Sequence, residues 1–207
     1  MSKIINGIFP GELYPTTTLA GCVDIYENVW PDSQKTIELI ERECNNPDSG
    51  LHWSRAETIS HGVNQSHRTN YNMPITHLAS ITDNPIASNI HNQFYIILLA
   101  AMNNYSKKYE INETFYHEGY NILKYSGGQE YRGHYDGGNT TNRCVSAICY
   151  LNSDYSGGEI EFINFNIRIK PEPGMLILFP SNYAYSHIAH PVVSGTKYAI
   201  VTWIKDS

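Results

Sequence analysis

The hydrophobic pattern divides the chain near residue 115. Before it, apolar positions recur every three or four residues in two stretches, the spacing of a helix that buries one face. Ser33 to Glu43, opened by Pro31-Asp32-Ser33, carries Ile37 and Ile40, with Cys44 next in the series. Pro85 to Tyr109 carries Ile86, Ile90, Phe94, Ile97, Leu98, Ala101 and Tyr105. After residue 115 the pattern becomes short runs of β-branched and aromatic residues between turn clusters. These clusters are Ser126-Gly127-Gly128, Asp136 to Asn139, Ser153 to Gly158, Pro171 to Gly174 and Pro191 to Gly195. They leave about eight strand slots, the number that a jelly roll or cupin-like barrel needs. Between the two helices, Leu51 to His77 is polar and lacks a clean period, which predicts a long loop or functional flap. The expected architecture is α+β in one domain, 1–207, with helical support and a substrate loop over 1–115 and a β core over 116–207.

Composition narrows the function classes. The chain has 207 residues, 41% hydrophobic and 16% charged, enough apolar surface for one core and too little charge for wholesale disorder. A formal charge of -6 gives no general grip on phosphate backbones or anionic membranes, so nucleic acid and membrane partners are not expected. No run approaches the ~20 apolar residues of a membrane helix, and Met1 to Pro10 lacks the basic-then-apolar layout of a secretory signal. A cytoplasmic location is expected. Cys22, Cys44, Cys144 and Cys149 form no metal or disulfide spacing and read as reduced, buried small hydrophobes.

Within the β region, Gly133-His134-Tyr135-Asp136 places His134 and Asp136 two residues apart, on one face of an extended segment. Both can bind one ion. A third ligand from a distant strand would complete two histidines and a carboxylate on one face of a non-haem Fe(II). The downstream histidines of this region are His187 and His190. A hairpin through Pro191 to Gly195 would let His187 and Lys197 face the same side, with Ala199, Val201 and Trp203 sharing the parity of Lys197. His190, of opposite parity and ahead of Pro191, reads as a solvent-facing turn residue. A buried lysine needs an anion, and a dicarboxylate whose other end chelates the metal would supply one.

Leu123 to Asp136, with Gly157-Gly158-Glu159, Phe179-Pro180-Ser181, His187, Pro191-Val192, Gly195 and Lys197-Tyr198, resembles the prolyl 4-hydroxylase branch of the 2-oxoglutarate and Fe(II)-dependent dioxygenases. The likeness spans about Gly119 to Trp203. It implies a double-stranded β-helix core, with His134, Asp136 and His187 as Fe(II) ligands. It further implies Lys197 pairing with the distal carboxylate of 2-oxoglutarate and Tyr125 hydrogen-bonding that cosubstrate. O2 is the second cosubstrate and ascorbate an accessory reductant. Tyr131, Arg143 and Trp203 match positions that line the family's active site. A loop ahead of the barrel covers the peptide in the family, so His61 to Pro74 is expected to be mobile and to close, with Arg68 or Tyr71 touching the substrate. Lys197 is similar to the collagen-type enzymes, whereas Arg143-Cys144-Val145 leading into Tyr150-Leu151-Asn152 looks more like the hypoxia-factor type.

The resemblance implies hydroxylation of peptidyl proline at C4, with a proline-containing protein or peptide as partner. Two alternatives stand beside it. The same iron site would serve an oxygenase acting on a free amino acid, another side chain or a small metabolite. A cupin-like metal-binding module without turnover is the third reading.

Overall fold

In the computed structural model, residues 13–58, 64, 66–111, 115–138 and 141–206 are described. A short hairpin of β1 (Thr17–Leu19) and β2 (Val23–Tyr26) precedes helix α1 (Ser33–Cys44). Strands β3 (Ser54–Arg55) and β4 (Tyr71–Pro74) follow, then α2 (Ile75–Ile81) and the long α3 (Pro85–Lys108). The two expected helices stand within a residue of their predicted ends. Asn84 caps α3, its Oδ1 accepting from the amides of Ile86 and Ala87, and Pro85 opens the helix where no amide is needed.

The remainder is β5 (Phe115–His117), β6 (Asn121–Tyr125), β7 (Tyr131–His134), β8 (Arg143–Tyr150), β9 (Ser156–Gly157) and β10 (Ile160–Phe162). It continues with β11 (Ile167–Ile169), β12 (Leu176–Pro180), β13 (His187–Ala189), β14 (Val192–Ser194) and β15 (Lys197–Asp206). These strands form the expected double-stranded β-helix. The large sheet runs β1-β2-β12-β8-β15-β6-β4-β3, with β5 also on β15. The small sheet runs β11-β10-β13-β7, and β14 pairs with β9.

Side-chain parity sorts the large sheet into two buried faces. Outward, Val145, Ala147 and Cys149 of β8 and Tyr198, Ile200 and Ile204 of β15 pack on the helices, with Phe94, Leu98 and Tyr105 of α3. Inward, Tyr150, Ile177, Phe179 and Ala199 meet Ile160 and Phe162 of the small sheet. A strand covered on both sides reads as a continuous apolar run, which is why Tyr198 to Ile204 shows no alternation.

Three expectations need correction. The N-terminal part is not only helical, since β1 to β4 extend the large sheet at both ends. Of the predicted flap, positions 61–63 and 65 lie outside the described residues, while Tyr71–Pro74 is a strand registered against Asn121–Lys124. Tyr71-Asn72-Met73-Pro74, a short run with one fully buried residue, shows no period that would mark the pairing. Of the cysteines, only Cys149 is buried; Cys22, Cys44 and Cys144 are half-buried at element ends, and all four are free thiols.

Candidate active site

His187 and Lys197 are not hairpin partners, contrary to the sequence expectation. β13 pairs with β10 and β7, whereas β15 pairs with β6, β8 and β5. β13 belongs to the small sheet and β15 to the large one, so the two side chains reach one pocket from opposite walls. His190 turns to the outer face, where its Nε2 lies 2.7 Å from Glu161 Oε2. It is half-buried there, not a solvent-facing turn residue.

The donors assemble across the small sheet. His187 and His134 are direct cross-strand partners on β13 and β7, and Asp136 follows two residues after His134. Candidate ligand atoms of His134, Asp136 and His187 all lie within 4.8 Å of one another. His134 Nε2 is 3.5 Å from Asp136 Oδ1, and His187 Nε2 is 3.7 Å from Asp136 Oδ2. Each imidazole is oriented from behind. Nδ1 of His134 lies 2.7 Å from the Arg132 carbonyl, and Nδ1 of His187 lies 3.1 Å from the Tyr185 carbonyl. A carbonyl can only accept, so Nδ1 carries the proton and each Nε2 offers a lone pair to the centre.

Burial would raise the Asp136 carboxyl, but His187, His134 and the Ser146 hydroxyl outweigh it and hold it well below the usual carboxylate range. Burial, followed by the nearby His134, pushes His187 down to about 4. At neutral pH Asp136 is therefore ionised and His187 neutral, the protonation states in which these two groups can bind a divalent ion. Ser146 Oγ donates to Asp136 Oδ2 at 2.6 Å and lies 2.8 Å from Ser181 Oγ. Gly137 brings its amide to within 2.7 Å of the Ser181 carbonyl, and a Cβ at this position would lie 2.9 Å from that oxygen. Only glycine lets the Asp136 loop seat this closely.

The supporting roles of Ser146 and Ser181 are not legible from motif spacing. The available signal was Ser146 itself, a lone hydroxyl of inward parity in the run Val145 to Tyr150. The three donors fit a six-coordinate Fe(II), which they would hold on one face with the opposite positions left to small ligands.

Lys197 lies deeper, 2% exposed, on a central strand rather than a sheet edge. Its ammonium donates to the Gly158 carbonyl at 2.7 Å and stands 4.9 Å from the Tyr125 ring and 5.4 Å from the Tyr150 ring. Among the described residues no carboxylate forms an ion pair with it. Burial lowers it to about 7, with Glu159 opposing only weakly. Tyr125 is registered directly opposite Lys197 across β6 and β15, and burial raises its phenol to about 12. A cation without a counter-ion thus faces the same narrow pocket as the three donors.

An outer cleft of about 760 Å³ opens over the donors, lined by Arg55, Arg68, Tyr131, His134, Arg143 and Trp203 among others. Tyr131 enters through a bulge. Between the His187–His134 and Ala189–Tyr131 pairings, two residues of β7, Arg132 and Gly133, lie opposite one of β13, Ile188. In a regular strand Tyr131 and His134 would point apart, but here their rings stack at 3.5 Å. Arg143 is gripped by Glu118, with Nη2–Oε2 at 2.5 Å and Nε–Oε1 at 2.9 Å, and its Cζ lies 3.8 Å from the Trp203 ring centroid. Arg68 bridges to Tyr131. Tyr71, by contrast, lines neither cavity and lies beneath Arg55, whose Cζ is 4.2 Å from its ring.

Residues 120–205 match the family model described as the 2OG-Fe(II) oxygenase superfamily. Prolyl 4-hydroxylase 13 of Arabidopsis thaliana is 32% identical over 120 residues, covering 44% of this chain and 44% of that protein. The chain thus spans less than half the length of that relative. A Trichoplax adhaerens prolyl hydroxylase, solved with a hypoxia inducible factor peptide fragment, superposes with a TM-score of 0.73 at 20% identity, over 90% of this chain and 84% of that one. The viral collagen prolyl hydroxylase of Paramecium Bursaria Chlorella virus-1, solved with 2OG, gives 0.63 at 19% identity, over 88% and 95%. At these identities the structures establish the fold. Residues 120–205, which hold the donor triad, are thus similar to the 2OG-Fe(II) oxygenase superfamily, and the chain resembles the prolyl 4-hydroxylases over part of its length.

Proposed function

We propose that the protein is a 2-oxoglutarate- and Fe(II)-dependent dioxygenase that hydroxylates peptidyl proline at C4. The observation that carries this reading is the pairing of the His134, Asp136 and His187 triad with the unpaired, buried Lys197 across one pocket. When bound, the metal supplies O2 activation coupled to cleavage of 2-oxoglutarate to succinate and CO2, with one oxygen atom entering the substrate C–H bond. The remaining work belongs to the chain. Lys197 would hold the distal carboxylate of the cosubstrate, with the Tyr125 phenol beside it. The apolar walls Leu123, Ile160, Ala199 and Val201 exclude water from that end of the pocket. Tyr131, Arg143 and Trp203 form the rim against which a substrate ring can rest.

The open cleft suits an extended chain, and the curated relatives are named prolyl 4-hydroxylases. Incubation of proline-rich peptide pools with the protein, Fe(II), ascorbate and 2-oxoglutarate is expected to release succinate and add one oxygen to proline, located by mass spectrometry. Coupled turnover confined to free amino acids or small acids would retain the oxygenase and overturn the prolyl reading. No succinate with any substrate would leave the metal-binding module.

A further inference from the structure

Two basic side chains are buried among the described residues, Lys197 at 2% and Arg68 at 9% exposure. Three other cations that pack on the large sheet are neutralised, Lys108 by Asp24, Lys124 by Glu41 and Arg143 by Glu118, while the exposed Arg55 at its edge lies over the Tyr71 ring. Neither Lys197 nor Arg68 has an ion pair among the described residues. Lysine can shed its charge when buried, but a guanidinium cannot. Arg68 is therefore a permanent positive charge with no ion-pair partner among the described residues.

Its hydrogen bonds leave one end free. Nε donates to Asn70 Oδ1 at 3.0 Å and Nη1 to the Glu57 carbonyl at 2.8 Å, whereas Nη2 has no hydrogen-bond partner among the described residues. The guanidinium Cζ lies 4.7 Å from the Tyr131 ring centroid, and Tyr131 stacks on the ligand His134. Arg68 is thus one aromatic ring away from a metal donor, and it lines both the outer cleft and the inner pocket. Two neutral acceptors and an aromatic face orient a guanidinium without cancelling its charge. That arrangement suits a bound anion.

Resting on the hydroxylase reading above, we infer that Arg68 is a carboxylate receptor at the mouth of the pocket, and that the preferred substrate carries a carboxylate on the target proline or on the residue beside it. One residue of extended chain covers at most about 3.6 Å. With the target carbon at the metal, only an anion on the target residue or its immediate neighbour reaches a guanidinium so near His134. Two sources share this chemistry, the side chain of a flanking Asp or Glu and the terminal carboxylate of a C-terminal proline.

Two pairs of synthetic peptides separate them with the Fe(II)-loaded full chain. The first pair, amidated at the C terminus, has Glu or Gln directly after proline; the second ends in proline as the free acid or the amide. We expect the acidic member of one pair to exceed its neutral partner by roughly tenfold or more in kcat/KM, and added salt to shrink that ratio. In Arg68→Gln the ratio should fall toward one, and Arg68→Lys should recover part of it. Equal kcat/KM within both pairs for the unaltered protein would overturn the inference without any variant. Discrimination kept intact in Arg68→Gln would also overturn it, including the case where only the 2-oxoglutarate KM rises. Neutral peptides hydroxylated as well as acidic ones would leave the prolyl reading standing alone. No oxygen gained by any of the four, with succinate formed from other substrates, would overturn both.

Discussion

Each of His134, Asp136 and His187 would offer one of three protein bonds to a labile divalent ion, so none should be dispensable. Alanine at any of them is expected to abolish succinate release and stoichiometric iron, while His190→Ala, which alters only the outer Glu161 contact, should keep both. Asp136→Glu should also fail, because the longer arm moves the carboxylate away from Ser146 and off the shared centre. Lys197→Ala should raise the 2-oxoglutarate requirement roughly 10- to 100-fold, the worth of a charge-assisted pair, with iron binding little changed. The pH dependence follows from its burial. An unfolded lysine keeps its proton to about pH 10, whereas the folded one releases it near 7. Between these values the unfolded state binds more protons, so the contribution of this group to stability rises with pH. Cosubstrate binding makes the opposite demand, since a dicarboxylate prefers the charged form. Affinity for 2-oxoglutarate should therefore fall as pH rises past about 7, with proton uptake on binding; titration calorimetry in buffers of different ionisation enthalpy would detect it. These residues were legible in the sequence because their chemistry depends on local spacing, His-x-Asp above all. Glu118, which grips Arg143 from 25 positions away, left no local trace.

At the scale of elements, periodicity predicted α1 and α3 well and the strand connectivity poorly. The missed α2 is only seven residues long and begins directly after β4, too short for a period to stand out. The expected β13–β15 hairpin failed because β14 intervenes and pairs with β9, while β13 and β15 lie in different sheets, a tertiary arrangement that no local pattern encodes. The bulge in β7 was equally hidden, and without it strict alternation would have turned Tyr131 away from the donors. The Asn84 cap gives a direct test of an element boundary. Besides closing the first turn of α3, its amide donates to the Ser49 carbonyl and to Glu43 Oε2, tying α3 to the end of α1. Asn84→Ala should destabilise the protein by about 1–2 kcal/mol, read as a lower urea midpoint with an unchanged slope.

The whole molecule stacks the helices on one sheet and the pocket between two sheets, so ligands that fill the pocket bear on both walls. Mn(II) with 2-oxoglutarate at about 100 times the dissociation constant should add roughly 2.7 kcal/mol of stability, visible as a rise in Tm that a chelator reverses. In Lys197→Ala the metal should still raise Tm and the cosubstrate should add little. A further consequence follows from the His134–His187 pairing. β7 is the border strand of the small sheet, paired there with β13 and joined on its other side only by the short Arg68–Tyr131 bridge among the described residues. The two histidines are separated by about fifty residues of chain, and an ion bound to both closes that loop reversibly. By the loop-closure entropy of a cross-link this constraint is worth on the order of 4 kcal/mol against the unfolded chain. Iron would then act as a removable staple, and its loss would free the border strand before the rest of the barrel opens, with faster amide exchange in Tyr131–His134 as its signature.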